Sequence, residues 1–171
     1  MNFYRLTPVI FLALLILLPG CLRYSFTGVS IPSDVRTVYI PFFPDQSGSG
    51  LGDLSDQLNE ALVNRFVNQS RLNLTNNSGD ADMRIEGEIR GYSNEPFSVA
   101  DDRRTELNRV RIQVRGELRF KDEDSAKWDK TFTGTFEYDP NENGADAEIN
   151  AAFEALQDVA DDMFNDAFGD W

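Results

Sequence analysis

Hydrophobic and polar positions alternate strictly along three stretches of the second half of the chain. In the first, Met83, Ile85, Gly87 and Ile89 share one face, and Arg84, Glu86, Glu88 and Arg90 the other. In the second, Val110, Ile112, Val114, Gly116, Leu118 and Phe120 oppose Arg109, Arg111, Gln113, Arg115, Glu117, Arg119 and Lys121. In the third, Trp128, Phe132, Gly134, Phe136 and Tyr138 oppose Asp129, Thr131, Thr133, Thr135 and Glu137. Successive side chains on a strand point to opposite faces, so this period predicts antiparallel strands with one buried and one polar face. Lys121 to Lys127 is the hairpin tip between the last two. Upstream, Val35 to Phe43 reads as a further strand, entered from Ile31-Pro32 and ending near Pro41 or Pro44.

Two other stretches have helical spacing. Leu54, Leu58, Ala61, Leu62 and Phe66 follow the loop Gln46 to Gly50, with Asp53 or Ser55 able to cap the start. Ile149, Ala152, Phe153, Leu156, Ala160, Met163 and Ala167 form a second stripe, whose outer face is acidic (Glu154, Asp158, Asp161, Asp162). Asn73 to Asp80, rich in Asn, Ser and Gly, is turn or a brief strand around Leu72 and Leu74. Gly87, Gly116 and Gly134 fall on apolar strand faces, where a missing side chain admits a neighbouring backbone; a helix lying on the sheet is the natural candidate. The order β-α-β-β-β-α predicts an α+β fold: a two-layer sandwich with two helices packed on one face of a mixed four-stranded sheet.

Composition narrows the chemistry. The 171 residues fit one domain, and 41% apolar residues suffice for a core. With no His and one Cys, a Ser–His triad, a Cys–His pair, an HExxH zinc site and a Cys-based structural zinc site all lack their side chains. A net charge of −13 argues against nucleic acid as a general partner, because such binding displaces phosphate counterions with Lys and Arg.

The N-terminus reads as an address. A short positive start through Arg5 precedes the apolar run Val9 to Leu18, and Leu18-Pro19-Gly20-Cys21 resembles the lipobox of bacterial lipoproteins. The expected organisation is a lipoprotein signal peptide at 1–20, a lipidated N-terminal segment at 21–34, and the folded domain at 35–171. A spanning helix wants about 20 apolar residues, and Thr7, Pro8, Pro19 and Gly20 interrupt this one. By resemblance, Cys21 takes a diacylglyceryl group and its freed amine a further acyl chain; two or more chains hold a protein stably on its membrane.

Three constellations could carry chemistry. Asp139-Pro140-Asn141-Glu142-Asn143-Gly144 looks like the start of an EF-hand loop, but position 12 is Asn150 rather than a bidentate Glu, and a strand leads in, so it reads as a polar turn. The pairs Asp101-Asp102, Asp122-Asp124 and Asp161-Asp162 could supply acid and base for glycoside hydrolysis. Each lies in a predicted loop or on a polar helix face, where solvation explains it. No catalytic residue, metal or cofactor is expected, and the chain reads as a non-enzyme. Between Arg103 and Lys121, seven basic residues stand against two acidic ones. Alternation places Arg109, Arg111, Arg115, Arg119 and Lys121 on one strand face. Either these pair with Glu86, Glu88, Asp129 and Glu137 on neighbouring strands, or they form a stripe for an anionic ligand, since Arg binds phosphate and carboxylate bidentately.

An ordered set of residues resembles the LptE family of lipopolysaccharide-assembly lipoproteins. It comprises Tyr24-Ser25-Phe26-Thr27-Gly28 after the lipobox, Ile31-Pro32, Phe42-Phe43-Pro44, Gly87-Glu88-Ile89-Arg90-Gly91-Tyr92, Asn108-Arg109-Val110-Arg111-Ile112, Trp128, Met163-Phe164-Asn165 and Trp171. The resemblance implies an outer-membrane lipoprotein, facing the periplasm, that plugs the barrel of the translocon protein LptD and helps deliver lipopolysaccharide to the outer leaflet. The partners it implies are an LptD-like outer-membrane barrel, lipopolysaccharide, and the membrane through acylated Cys21. The competing expectation is a lipid-anchored, periplasm-facing binding or adaptor protein for another envelope-assembly complex.

Overall fold

Each strongly alternating stretch is a strand in the computed structural model, which describes residues 31–97, 107–142 and 145–169. The expected signal at 1–20, Cys21, the pair Asp101-Asp102, Arg103, Arg104, Asn143 and Gly144 lie outside the described residues. The elements are β1 (Thr37–Tyr39), α1 (Leu54–Val63) running into a π-helical turn (Asn64–Asn68), β2 (Asn73–Leu74), β3 (Met83–Phe97), β4 (Leu107–Phe120), β5 (Trp128–Tyr138) and α2 (Ala145–Phe168).

The sheet is mixed and has five strands, not the four expected, in the order β2-β1-β3-β4-β5. β1 runs parallel to β2 and β3, and β3, β4 and β5 are antiparallel neighbours. The fifth strand is β2, in the stretch whose composition allows either a turn or a brief strand around Leu72 and Leu74. Its two residues are both exposed, so no alternation betrays it. The expected strand from Val35 to Phe43 shrinks to Thr37–Tyr39, because Pro41 and Pro44 have no N–H for a ladder. β3 instead outruns its pattern. Arg90 has no partner on β4, and pairing resumes one residue later with Gly91 opposite Gln113 and Tyr92 opposite Ile112. This bulge shifts the alternation by one residue, so Tyr92 joins Ile89 on the apolar face.

Helix α2 lies across β4 and β5, while α1 packs chiefly against α2 rather than on the strands. The two-layer description therefore fits best over β4 and β5. All five apolar residues predicted for the first helical stripe are buried. The second stripe is wider than predicted. Ala151, Ala155, Val159, Phe164 and Phe168 join Ala152, Leu156, Ala160, Met163 and Ala167 in the interior, while Ile149 is 38% exposed and Phe153 is half-buried. A helix wedged between a sheet and a second helix buries two flanks, and alanines on them let both neighbours approach. Neither predicted cap forms: the Asp53 side chain accepts from Gln57, and the Ser55 hydroxyl donates to the Phe43 carbonyl.

The glycines on the apolar faces admit three different neighbours. A Cβ on Gly134 would lie 1.9 Å from the Ala155 carbonyl oxygen, so there the helix backbone itself occupies the space. At Gly116 the neighbours are the Met163 methyl and the Trp128 ring, both at 2.9 Å. At Gly87 they are the Arg115 carbonyl oxygen at 2.1 Å and the Phe43 ring at 2.5 Å. The expectation of a helix over the glycines thus holds at Gly134, through the α2 backbone, and at Gly116, where Met163 of α2 shares the space with Trp128. At Gly87 a neighbouring strand and Phe43 fill it instead.

Asp82 ties the start of β1 to the start of β3. Its Oδ2 accepts from the Arg36 N–H, the Thr37 N–H and the Thr37 hydroxyl, each at 2.9 Å. These bonds, led by the one from Arg36, hold the carboxyl below the usual range against the opposing effect of burial. A depressed folded-state pKa stabilises the fold above the ordinary carboxylate pKa of about 3.9, and that stabilisation fades as pH falls through the folded value. Asp82→Asn keeps an acceptor oxygen but loses the charge at a half-exposed, solvent-screened site, so it should cost under about 1 kcal/mol at pH 7. Urea unfolding should show the gap between variant and parent closing as the solution is taken well below pH ~4.

Candidate binding face

Cross-strand register sorts the polar side of the sheet into rows. Glu86, Glu117 and Asp129 form a wholly acidic row, and Arg84 lies opposite Arg119 in the next. On the other side come Glu88, Arg115 and Thr131, then Gly91, Gln113 and Thr133, then Ser93, Arg111 and Thr135, then Glu95, Arg109 and Glu137. All of these are exposed or half-exposed.

The five candidate cations fare differently. Arg115 makes a two-pronged bond to Asp129, at 3.1 and 3.0 Å. Arg109 bonds Glu137 at 2.6 Å and lies 3.5 Å over the Phe97 ring, a cation–π stack. Arg119 pairs with Glu117 on its own strand and donates to the Asp124 carbonyl at 3.2 Å. Arg111 is exposed and has no ion pair among the described residues; its direct neighbours are Ser93 and Thr135. Lys121 stands exposed just past the end of β4, where its backbone N–H donates to the Asp82 carbonyl at 2.8 Å.

Of the four carboxylates expected to neutralise the stripe, Asp129 and Glu137 do so. Glu88 is taken by Arg90 at 2.5 Å, and Glu86 makes no ion pair among the described residues. Exposed pairs contribute only about 0.2–1 kcal/mol each, so these bonds cancel charge more than they hold the fold. Arg109, Arg115 and Arg119 are thus neutralised, whereas Arg111 and Lys121 have no ion pair among the described residues. The middle of the stripe presents the Arg111 guanidinium amid hydroxyls and an amide: Ser93, Thr133, Thr135 and Gln113.

The other candidates do not converge. Asp122 and Asp124 sit at the exposed hairpin tip, and Asp161 and Asp162 lie on the outer face of α2. Partial burial, then the neighbouring carboxylates Asp158 and Asp166, raise the Asp162 pKa, with Lys130 opposing. In the turn after β5, Asp139 Oδ1 accepts from the backbone and side-chain amides of Asn141 at 2.8 and 3.1 Å, the local bonding of a polar turn. No group of three or more Asp, Glu, Cys or His among the described residues is placed to hold a metal ion.

Sequence reasoning missed the cluster that fastens α2 to the far end of the sheet. Tyr92 donates to Glu148 at 2.5 Å; burial, then this carboxylate, push its phenol well above the ordinary range. Nearby, Asn94 donates to the Tyr138 hydroxyl at 2.7 Å. The bulge at Arg90 and Pro96 within the strand hid this continuation, although Tyr92, Asn94 and Pro96 keep a period of two.

Fold and face together define a two-helix, mixed-sheet module whose charged and polar residues are spread over one open sheet face. A family model described as LptE, lipopolysaccharide-assembly, matches residues 35–167. The chain belongs to this family, and membership implies a role in lipopolysaccharide assembly. No curated protein sequence matches it. Among solved structures, a Xanthomonas campestris protein is similar with TM-score 0.58 and 12% identity, covering 80% of this chain and 86% of that one. PelC from Paraburkholderia phytofirmans, solved as a dodecamer, gives TM-score 0.51 and 9% identity, covering 82% of this chain and 95% of that one. A putative neuraminyllactose-binding hemagglutinin homolog from Helicobacter pylori gives 0.52 and 9%, covering 85% and 90% respectively. At these identities the likeness concerns the fold alone.

Proposed function

We propose that this protein is a lipid-anchored outer-membrane component of the lipopolysaccharide-assembly machinery, held by acylated Cys21 on the periplasmic side and seated in an LptD-like barrel. The observation that carries the reading is the family match over residues 35–167. The polar sheet face is compatible with it, since hydroxyls, amides and paired charges suit a wet lumen wall or a phosphorylated saccharide. Arg111 is the cation best placed to meet an anionic group, because Arg109, Arg115 and Arg119 already bond carboxylates and Lys121 lies beyond the end of the strand.

Affinity purification from detergent-solubilised membranes tests both halves. The parent protein should bring down a large barrel and lipopolysaccharide, with Cys21 triacylated by mass spectrometry. Arg111→Glu should fold normally yet retain about tenfold less lipopolysaccharide or barrel, with the deficit shrinking as salt screens exposed charge over about 8–10 Å. Purification as a lone monomer, or an unmodified Cys21, would end the proposal. Equal retention by Arg111→Glu would remove that residue from it.

A further inference from the structure

A second candidate site lies among the helices, on the other side of the molecule from the polar sheet face. It is a groove of about 440 Å³ between α1, its π-helical turn and α2, reaching the outer strand β2. Five residues with side-chain amides line it: Asn59, Asn64, Asn68, Gln69 and Gln157. Leu74 at 44% exposed and half-buried Phe153 supply its apolar contacts.

Backbone geometry at β2 completes the picture. The amides of Asn73 and Thr75 donate to the Arg36 and Val38 carbonyls on β1, at 2.9 Å each. The N–H and C=O of the intervening Leu74 therefore face away from β1, along an edge that no described strand pairs. Unpaired edge groups are a template for another strand, and peptides commonly bind by adding to such an edge while their alternate side chains enter adjoining pockets.

We infer that this groove and the β2 edge form a docking site for an extended, basic segment of a partner protein. The segment's backbone bonds Leu74 and the groove's amides, and its apolar side chains rest on Leu74 and Phe153. Side-chain amides suit this task because each carries a donor and an acceptor, matching a peptide unit. Gln69 Oε1 already accepts from Arg65 and Asn68 already donates to Asn64, which leaves Asn59 and Gln157 without such bonds among the described residues. The stretch of helix from Asn59 to Gln69 spans roughly 15 Å at ~1.5 Å per residue, the length of about four to five residues of strand. Charge selects the sign of the occupant. Glu60 and Asp161 line the groove, Glu154, Asp158 and Asp162 stand exposed on the same helix, and the groove's own cation, Arg65, is engaged by Asp161 at 2.8 Å.

The test uses a fluorescein-labelled, end-capped Lys-Val-Lys-Leu-Lys peptide and its Glu-Val-Glu-Leu-Glu counterpart, with binding read by anisotropy. The basic peptide should bind at least about tenfold more tightly than the acidic one. Leu74→Pro, which deletes the outward N–H but leaves the β1 bonds, should weaken it about tenfold, as should Phe153→Lys. Gln157→Lys, at a half-exposed position, serves if either of those variants melts early. Nonspecific attraction to an acidic protein would survive Leu74→Pro unchanged. That result, or no preference between the peptides, or no binding of either, overturns the proposal.

Discussion

Gly134→Val should remove about 3 kcal/mol of stability, near the top of the usual range for overpacking, and lower the melting temperature by roughly 10 °C. The reason is what the new side chain meets. A Cβ there falls 1.9 Å from the Ala155 carbonyl oxygen and 2.8 Å from its carbon, and neither can rotate aside. The helix must move as a body. It cannot move freely, because α2 is packed against α1 on its other flank and tied at Glu148 to Tyr92. Gly116→Val should be milder, about 1 kcal/mol, since the Met163 methyl and the Trp128 ring are side chains that can yield. Gly52→Ala, with nothing within 4 Å, is the control and should leave stability unchanged. Thermal unfolding of the three variants checks the order. Equal losses at Gly134 and Gly116 would mean that the helix is free to shift.

The contrast among the glycines shows how far the sequence reaches. Alternation assigned Gly87, Gly116 and Gly134 to the apolar face, but which neighbour occupies each gap depends on where the helix crosses. That crossing is set by packing between elements distant in sequence. The same limit appears in the strands. The hydrophobic period places Val110, Ile112, Val114 and Leu118 inward without ambiguity, and all are fully buried. It does not reveal β2, whose pairing rests on backbone bonds to β1, nor does it extend through a bulge that changes its phase at Arg90.

The charged stripe was legible as a stripe and illegible as an electrostatic surface. Composition and alternation put Arg109, Arg111, Arg115, Arg119 and Lys121 together. Register then decided their fates. With Leu118 opposite Trp128, Glu117 comes to face Asp129 and Arg109 to face Glu137, while Arg111 faces Thr135. A hairpin tip one residue longer would turn a different set inward. Tyr92 and Glu148, 56 positions apart, carry no mutual signal in one sequence.

Phe66→Ala should cost about 3–5 kcal/mol, the range for deleting a fully buried aromatic ring. Phe66 is completely buried on the π-helical turn that ends α1. Its ring meets Phe164 edge-on at 5.1 Å between centroids and Phe168 at 6.2 Å, and those two meet at 5.2 Å. Aromatic pairs in such arrangements add about 0.5–1.5 kcal/mol beyond the area they bury. Removing Phe66 breaks two of the three contacts and opens a cavity where the first helix joins the last turns of α2. The surroundings cannot collapse easily, because Arg65 stacks on the Phe164 ring at 4.4 Å while held by Asp161. Phe153→Ala is the comparison of choice, for its ring faces the groove and is half-buried, so its loss should stay near 1 kcal/mol. Urea denaturation of both variants decides the point. A small loss at Phe66 would mean that other contacts hold α1 against the last turns of α2, and comparable losses at the two positions would mean that Phe153 belongs to the core rather than to the groove.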